Sequence, residues 1–202
     1  MVTPAQARKR HHELWHCRPG HANTVAADLR AEVFEVPSGS PPRFEGCAYG
    51  STHRYALGPV PYGSSSGSNG SRDYTLLGTS LAFTEGGCPG ALAPASAECW
   101  ETLEVMNLSS GRRLHQVSVR NAQCNGRILG LVLKGDGAVA WIATNVVQGC
   151  SVRTQALEVH ALDFAGERLL ANGTDVAAES LALAGSTVYW MQGGRPYSAT
   201  LN

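Results

Sequence analysis

The stretch Leu129–Ile142, LGLVLKGDGAVAWI, decides the fold class. Two apolar runs flank Lys134-Gly135-Asp136-Gly137. An Asp-Gly pair between apolar runs is a favoured hairpin turn, because glycine supplies the positive φ that the turn needs. The pattern predicts two antiparallel strands. Ser180–Met191, SLALAGSTVYWM, reads the same way, with its turn at Ala184-Gly185-Ser186 and with Trp190 at the place that Trp141 holds in the first hairpin. A weaker copy begins Ser80-Leu81-Ala82-Phe83 and runs through Thr84-Glu85 into Gly86-Gly87. Ser80, Gly130 and Ser180 open the three copies at intervals of 50 residues.

Further strands lie outward from these hairpins. LEVMNL (103–108) and RRLHQV (112–117) are joined by Ser109-Ser110-Gly111, and ALEVHALD (156–163) and ERLLA (167–171) by Phe164-Ala165-Gly166. Near the start stand AEVFEV (31–36), FEGCAYG (44–50) and HRYALG (53–58), and near the end PYSATL (196–201). Alternation of apolar and polar residues favours strands throughout, and no long stretch carries a helical period. Units of about 50 residues, each an inner hairpin with two outer strands, predict an all-β, small β-propeller-like fold of about four blade-like antiparallel units. These occupy residues 25–202 as a single β-repeat domain, after an irregular N-terminal segment, 1–24. Pairing the C-terminal hairpin with N-terminal strands closes the ring and removes free edges. A β-sandwich of the same strands is the rival. Pro61–Asp73, PYGSSSGSNGSRD, reads as a loop.

Composition narrows the partners. Lys+Arg and Asp+Glu are both 16, so the chain lacks the basic surplus that phosphate backbones require, and no nucleic-acid partner is expected. At 43% hydrophobic residues the chain can build a core. No apolar run reaches the roughly 18 residues of a membrane helix. The N-terminal MVTPAQARKRHHELWHC has a basic patch with no apolar run behind it, so it does not read as a signal peptide. That leaves a cytosolic protein, or a chain that begins inside or after an export segment.

The six cysteines are Cys17, Cys47, Cys88, Cys99, Cys124 and Cys150. None forms a CxxC pair, which argues against a zinc knuckle or redox dithiol. An even number scattered through turn-rich text suits disulfides in an oxidising compartment; buried free thiols are the alternative. Cys88–Cys99 is the natural local pair across PGALAPASAE, Cys124–Cys150 ties the approach of one hairpin to its exit, and Cys17–Cys47 pins the N-terminal segment.

Taken together, RAEVFEV, GCAYG and HRYALG, then LGLVLKGDGAVAWIA, then GERLLANGTDVAAESLALAGSTVYWMQGGRPYSATL resemble a family of small exported actinobacterial proteins. Similar tail motifs occur in larger propeller-like proteins of the same bacteria. The resemblance covers residues 17–202. It implies a mature exported β protein, extracellular or in the cell envelope, and it brings no catalytic residues and no ligand.

Little text carries chemistry. His11, His12, His16, Cys17 and His21 form the densest set of metal-capable side chains, set against the plainer reading of a chain terminus and a bridged cysteine. His53, His115 and His160 are isolated. Glu32 with Glu35, and Glu101 with Glu104, are spaced by 3 on strand text, which puts the members of each pair on opposite faces. A glycosidase pair would have to be assembled across strands. GxSxG, HExxH, P-loop and GxGxxG motifs are absent from the sequence. Asp136 reads as a turn residue rather than a calcium ligand. Asn107-Leu108-Ser109 and Asn172-Gly173-Thr174 match the N-glycosylation pattern and equally fit turns. Trp141, Tyr189 and Trp190 suit packing between units better than a sugar or peptide site. Tyr49, Tyr55, Tyr62 and Tyr74, beside the Gly/Ser loop, are the candidates for an exposed recognition surface. The expectation is a non-catalytic secreted β-domain, structural or binding, without cofactor, whose partner is an extracellular glycan or protein. The alternative is a secreted enzyme, such as a polysaccharide-acting hydrolase or lyase, with its site formed by inter-strand loops.

Overall fold

The computed structural model describes residues 17–37, 43–59, 74–87, 100–119, 128–145 and 156–202. His11, His12, His16, Tyr62, Cys88, Cys99, Cys124 and Cys150 lie outside these residues. The regular structure of the described residues is all β, in four antiparallel sheets. The first holds β1 (Asn23–Ala27), β2 (Ala31–Val36), β3 (Arg43–Ala48) and β4 (Tyr55–Pro59). The second holds β5 (Tyr74–Leu77), β6 (Ser80–Gly87), β7 (Trp100–Asn107) and β8 (Arg112–Ser118). The third holds β9 (Ile128–Leu133), β10 (Val139–Asn145), β11 (Ala156–Asp163) and β12 (Gly166–Gly173). The fourth holds β13 (Ala182–Ala184), β14 (Thr187–Gln192) and β15 (Arg195–Thr200). Each sheet is a meander in which consecutive strands pair. No helix among the described residues is long and apolar enough to cross a membrane.

Side chains alternate across a strand, so a strand that is apolar at every position must be covered on both faces. In β10 the run Val139–Ala143 reads this way and every residue of it is buried, and the sheets stack face to face in sequence order. Ala31, Val33, Ala48 and Leu57 of the first sheet pack on Leu81, Phe83, Met106 and Leu108 around the second. The other face of the second, with Ala82, Leu103 and Val105, meets Ile128, Val139, Trp141 and Leu162 of the third. The other face of the third, with Ala140, Ile142, Val159 and Ala161, meets Val188, Trp190 and Leu201. Phe34 lies on the face of the first sheet that turns away from the second, among Cys17, Ala22 and Cys47.

The 50-residue rhythm needs one correction. Gly130–Leu133 lies in β9 and Leu183 in β13, both first strands, whereas Ser80–Phe83 lies in β6, a second strand whose hairpin partner is β5. The first copy is therefore out of phase with the other two. The equivalent positions are Phe34, Phe83, Trp141 and Trp190. Each sits in a second strand, and the last three each face the preceding sheet. The expected pairing of C-terminal with N-terminal strands is not seen: among the described residues β15 pairs only with β14 and β1 only with β2.

Polar bonds tie the hairpin turns together at one end of the stack. Asp28, after β1, accepts the Gly78 N–H in the β5–β6 turn. Ser80 Oγ donates to the Gly135 carbonyl in the β9–β10 turn at 2.8 Å. Lys134 Nζ donates to the Leu201 carbonyl at 3.2 Å, and the Leu201 N–H donates to Ser186 in the β13–β14 turn at 2.7 Å. Gly137 completes the Asp-Gly turn at φ 97°, a conformation that favours glycine, beside the Leu114 side chain of β8. The internal residues outside the description, 38–42, 60–73, 88–99, 120–127 and 146–155, all join an even-numbered strand to the next odd one. The strand ends that lead into them are therefore at the opposite end.

Candidate functional site

Among the described residues the first strands β1, β5, β9 and β13 each pair on one side only. They approach one another in order, β1 beside β5, β5 beside β9 and β9 beside β13. Between them runs a groove in two parts that share Thr75 and Leu131. One part, of about 440 Å³, is lined by Val25, Thr75, Leu129 and Leu131 and by Tyr74, one of the expected recognition tyrosines. The other, of about 580 Å³, is lined by Leu77, Leu131, Leu133 and Leu183. Val25 and Leu77 are each 44% exposed and Leu129 38%. Single exposed aliphatics are ordinary, but a row of them in one concavity marks a binding surface. Lys134 is the cation of the lining, and its ammonium pairs with Asp136 at 3.0 Å as well as with the Leu201 carbonyl. Among the described residues no carboxylate lines the groove.

On the outward face of the first sheet a disulfide joins Cys17 to Cys47, with the Cα atoms 6.1 Å apart, as the sequence expectation had it. Beneath it Glu32 is 1% exposed. One carboxylate oxygen lies 3.5 Å from Arg18 Nε, and the other accepts a long hydrogen bond from Thr24 Oγ1 at 3.5 Å. Burial raises the Glu32 pKa above its ordinary value, against the pull of Arg18 and Thr24. Burial, and then the Glu32 charge, raise that of Tyr49. Ligand atoms of Cys17, Glu32 and Cys47 lie within 4.8 Å of one another, the spacing of a metal triad. With its sulfurs bonded to each other the triad offers no thiolate, and its one carboxylate already faces a guanidinium. The arrangement as it stands is a clamp that holds Cys17–Ala22 on the sheet. His21, from the expected histidine set, is exposed.

Two further polar constellations lie on the third sheet. The His160 ring stacks on Trp141, with centroids 5.0 Å apart and planes 5° from parallel. Its Nε2 is 3.0 Å from Glu158 and its Nδ1 3.2 Å from Glu167. This is a His–carboxylate arrangement, but its residues line neither part of the groove. At the turn after β11, buried Asp163 accepts hydrogen bonds from the Ala165 N–H at 2.9 Å, the Asn202 N–H at 2.8 Å and the Arg168 guanidinium. Burial alone would raise its pKa, but the two backbone donors and the Arg168 charge outweigh it and hold the carboxyl below the usual aspartate value. Burial lowers the pKa of His115 on β8, against the Asp163 charge.

The expected tyrosine surface divides. Tyr55 and Tyr74 pack against the core between the first two sheets, with Tyr74 between Phe44 and Phe83, while Tyr49 packs beside the disulfide on the other face. Trp141 and Trp190 are buried between sheets, and Tyr189 points from the opposite face of β14 and is half exposed. Glu101 accepts the Ile128 N–H at 3.0 Å, and Glu104 pairs with Arg113 at 3.2 Å, so these two carboxylates serve different partners. Asn107 closes its own turn by accepting from the Ser109 and Ser110 N–H groups. The groove residues Val25, Thr75, Leu77 and Leu129 were not singled out by the sequence. Their signal is the short length and one-sided pairing of the first strands, which only the assembled sheets display. Compared with family models, curated proteins and solved structures, the chain matches none of them.

Proposed function

We propose that the protein is a non-catalytic, exported binding module whose four sheets act as propeller-like blades, and that it binds a protein partner through the groove along its first strands. The carrying observation is the row of exposed aliphatics, Val25, Leu77 and Leu129, in a concavity free of lining carboxylates. Aliphatic walls favour a protein partner over a glycan, which is commonly held by aromatic platforms and paired polar groups. The sequential order of the first strands around the groove supports the blade reading. The Cys17–Cys47 disulfide supports an extracytoplasmic setting, as does the resemblance to exported actinobacterial proteins.

The environment-sensitive dye bis-ANS tests the surface. Saturable binding to the folded protein is expected, weakened at least about tenfold in the Leu77→Asp/Leu129→Asp variant. Equal binding by both proteins would remove the groove from consideration. The disulfide reading behind the extracytoplasmic setting is tested by intact mass of protein made under oxidising conditions, before and after reduction with alkylation. Paired cysteines that become alkylatable only after reduction are expected, and six thiols alkylated without reduction would overturn the reading.

A further inference from the structure

We propose that the occupant of the groove is an extended, uncharged polypeptide segment of a protein partner, seated along the free edge of β9. This rests on the binding reading above and names the ligand class. Among the described residues β9 pairs on one side, with β10. Lys134 N–H donates to the Ala138 carbonyl at 2.8 Å across the hairpin, which sets the alternation of the ladder. Val132 shares that parity and bonds toward β10. Leu131 and Leu133 have the other parity and turn their backbone N–H and C=O toward the groove. A row of backbone donors and acceptors at two-residue spacing is answered by another extended chain. A lipid tail satisfies the aliphatic wall but leaves those polar groups without partners, which is costly away from water. An oligosaccharide satisfies the polar groups but not the wall.

Charge points the same way. Lys134, the cation of the lining, is already held by Asp136 and the Leu201 carbonyl, so a charged ligand would meet no counter-charge. The six residues of β9 give an edge of roughly 20 Å at about 3.3 Å per residue, enough for a segment of about six residues. Leu129 toward one end and Leu77 and Leu183 toward the other would receive its alternate side chains.

The probe is a fluorescein-labelled, end-blocked hexapeptide of alternating valine and threonine, followed by fluorescence anisotropy with the full chain. Saturable binding is expected, with affinity lowered at least about tenfold by Leu77→Asp or by Leu129→Asp. Both positions are exposed, and circular dichroism melting establishes that each variant folds. A second peptide, N-methylated at every residue, keeps the side chains and loses the donors of both edges; it too should bind at least about tenfold more weakly. If the methylated peptide binds as well as the parent, or if bis-ANS in the groove is displaced by palmitate or an oligosaccharide but not by the peptide, the extended-chain proposal falls while the binding module stands. If neither dye nor peptide responds to the groove substitutions, both fall.

Discussion

Asp163 and Glu32 are both buried acids with a guanidinium nearby, yet they act in opposite directions. Asp163 receives two backbone N–H donors in addition to Arg168, and its carboxylate is the favoured form. Glu32 has only Arg18 and a long bond from Thr24, and burial prevails. A depressed folded pKa adds stability above the unfolded value of about 4 that is lost as pH falls through the folded value. A raised one adds stability present below the unfolded value and lost as pH rises through the folded value. In urea denaturation, Asp163→Asn should therefore cost about 1–3 kcal/mol at pH 7, and the gap to the wild type should close as pH drops below about 4. For Glu32→Gln, the stability of the wild type relative to the variant should fall, not grow, as pH rises from about 4 to 7. Parallel curves for either pair would show that the carboxylate does not titrate differently in the two states. Neither role was legible in the sequence. Asp163 reads as the last residue of ALEVHALD, and its partner Asn202 is brought to it by the fourth sheet; Glu32 was noted only for its spacing from Glu35.

At the scale of elements, β15 is the exposed edge of the fourth sheet. Leu201 N–H bonds to Ser186, so Ala199, Tyr197 and Arg195, of the same parity, face β14, and Pro196, Ser198 and Thr200 turn their backbone outward. Pro196 has no N–H to offer there, and the Thr200 carbonyl already accepts from Arg168 at 3.0 Å. Both features blunt an edge that would otherwise recruit a strand. Pro196→Thr restores an outward donor, and sedimentation velocity at rising concentration should then show more self-association than the wild type; a variant that sediments as the wild type does would place the protection elsewhere. Longer strands such as β2, β7 and β11 were legible because they run for six residues or more and set apolar residues two apart, as at Leu103/Val105 and Leu157/Val159. The short first strands were not. β1 is mostly exposed and gives no alternating pattern, and β5 has only four residues beside a Gly/Ser loop, so Ser80–Phe83 was matched to first strands instead of second ones.

The whole molecule is ordered along its chain. Among the described residues strands pair with sequence neighbours, sheets pack on sequence neighbours, and the disulfide closes a separation of 30 residues between the segment ahead of β1 and β3. Replacing Cys17 and Cys47 together by alanine should lower stability by about 3 kcal/mol, read from thermal melts without reductant. The number of sheets was close to legible because each repeats a hairpin with an aromatic in its second strand. The stitching of the turns was not, since Asp28 to Gly78 and Ser80 to Gly135 join residues that no local pattern connects.

That stitching has a consequence for how the chain reaches its final state. Everything that the first sheet needs, its disulfide included, lies before residue 60, and each later sheet finds its docking face already made by the one before. Local pairing of this kind is kinetically fast for a β protein, because little loop entropy is lost before contacts form. A chain emerging from its N-terminus can therefore assemble sheet by sheet. The bond from Lys134 to Leu201, which spans 67 residues, forms only after the last strand has arrived. The segment Thr200–Asn202 then works as a latch on the third sheet, fastened by Lys134, Arg168 and Asp163.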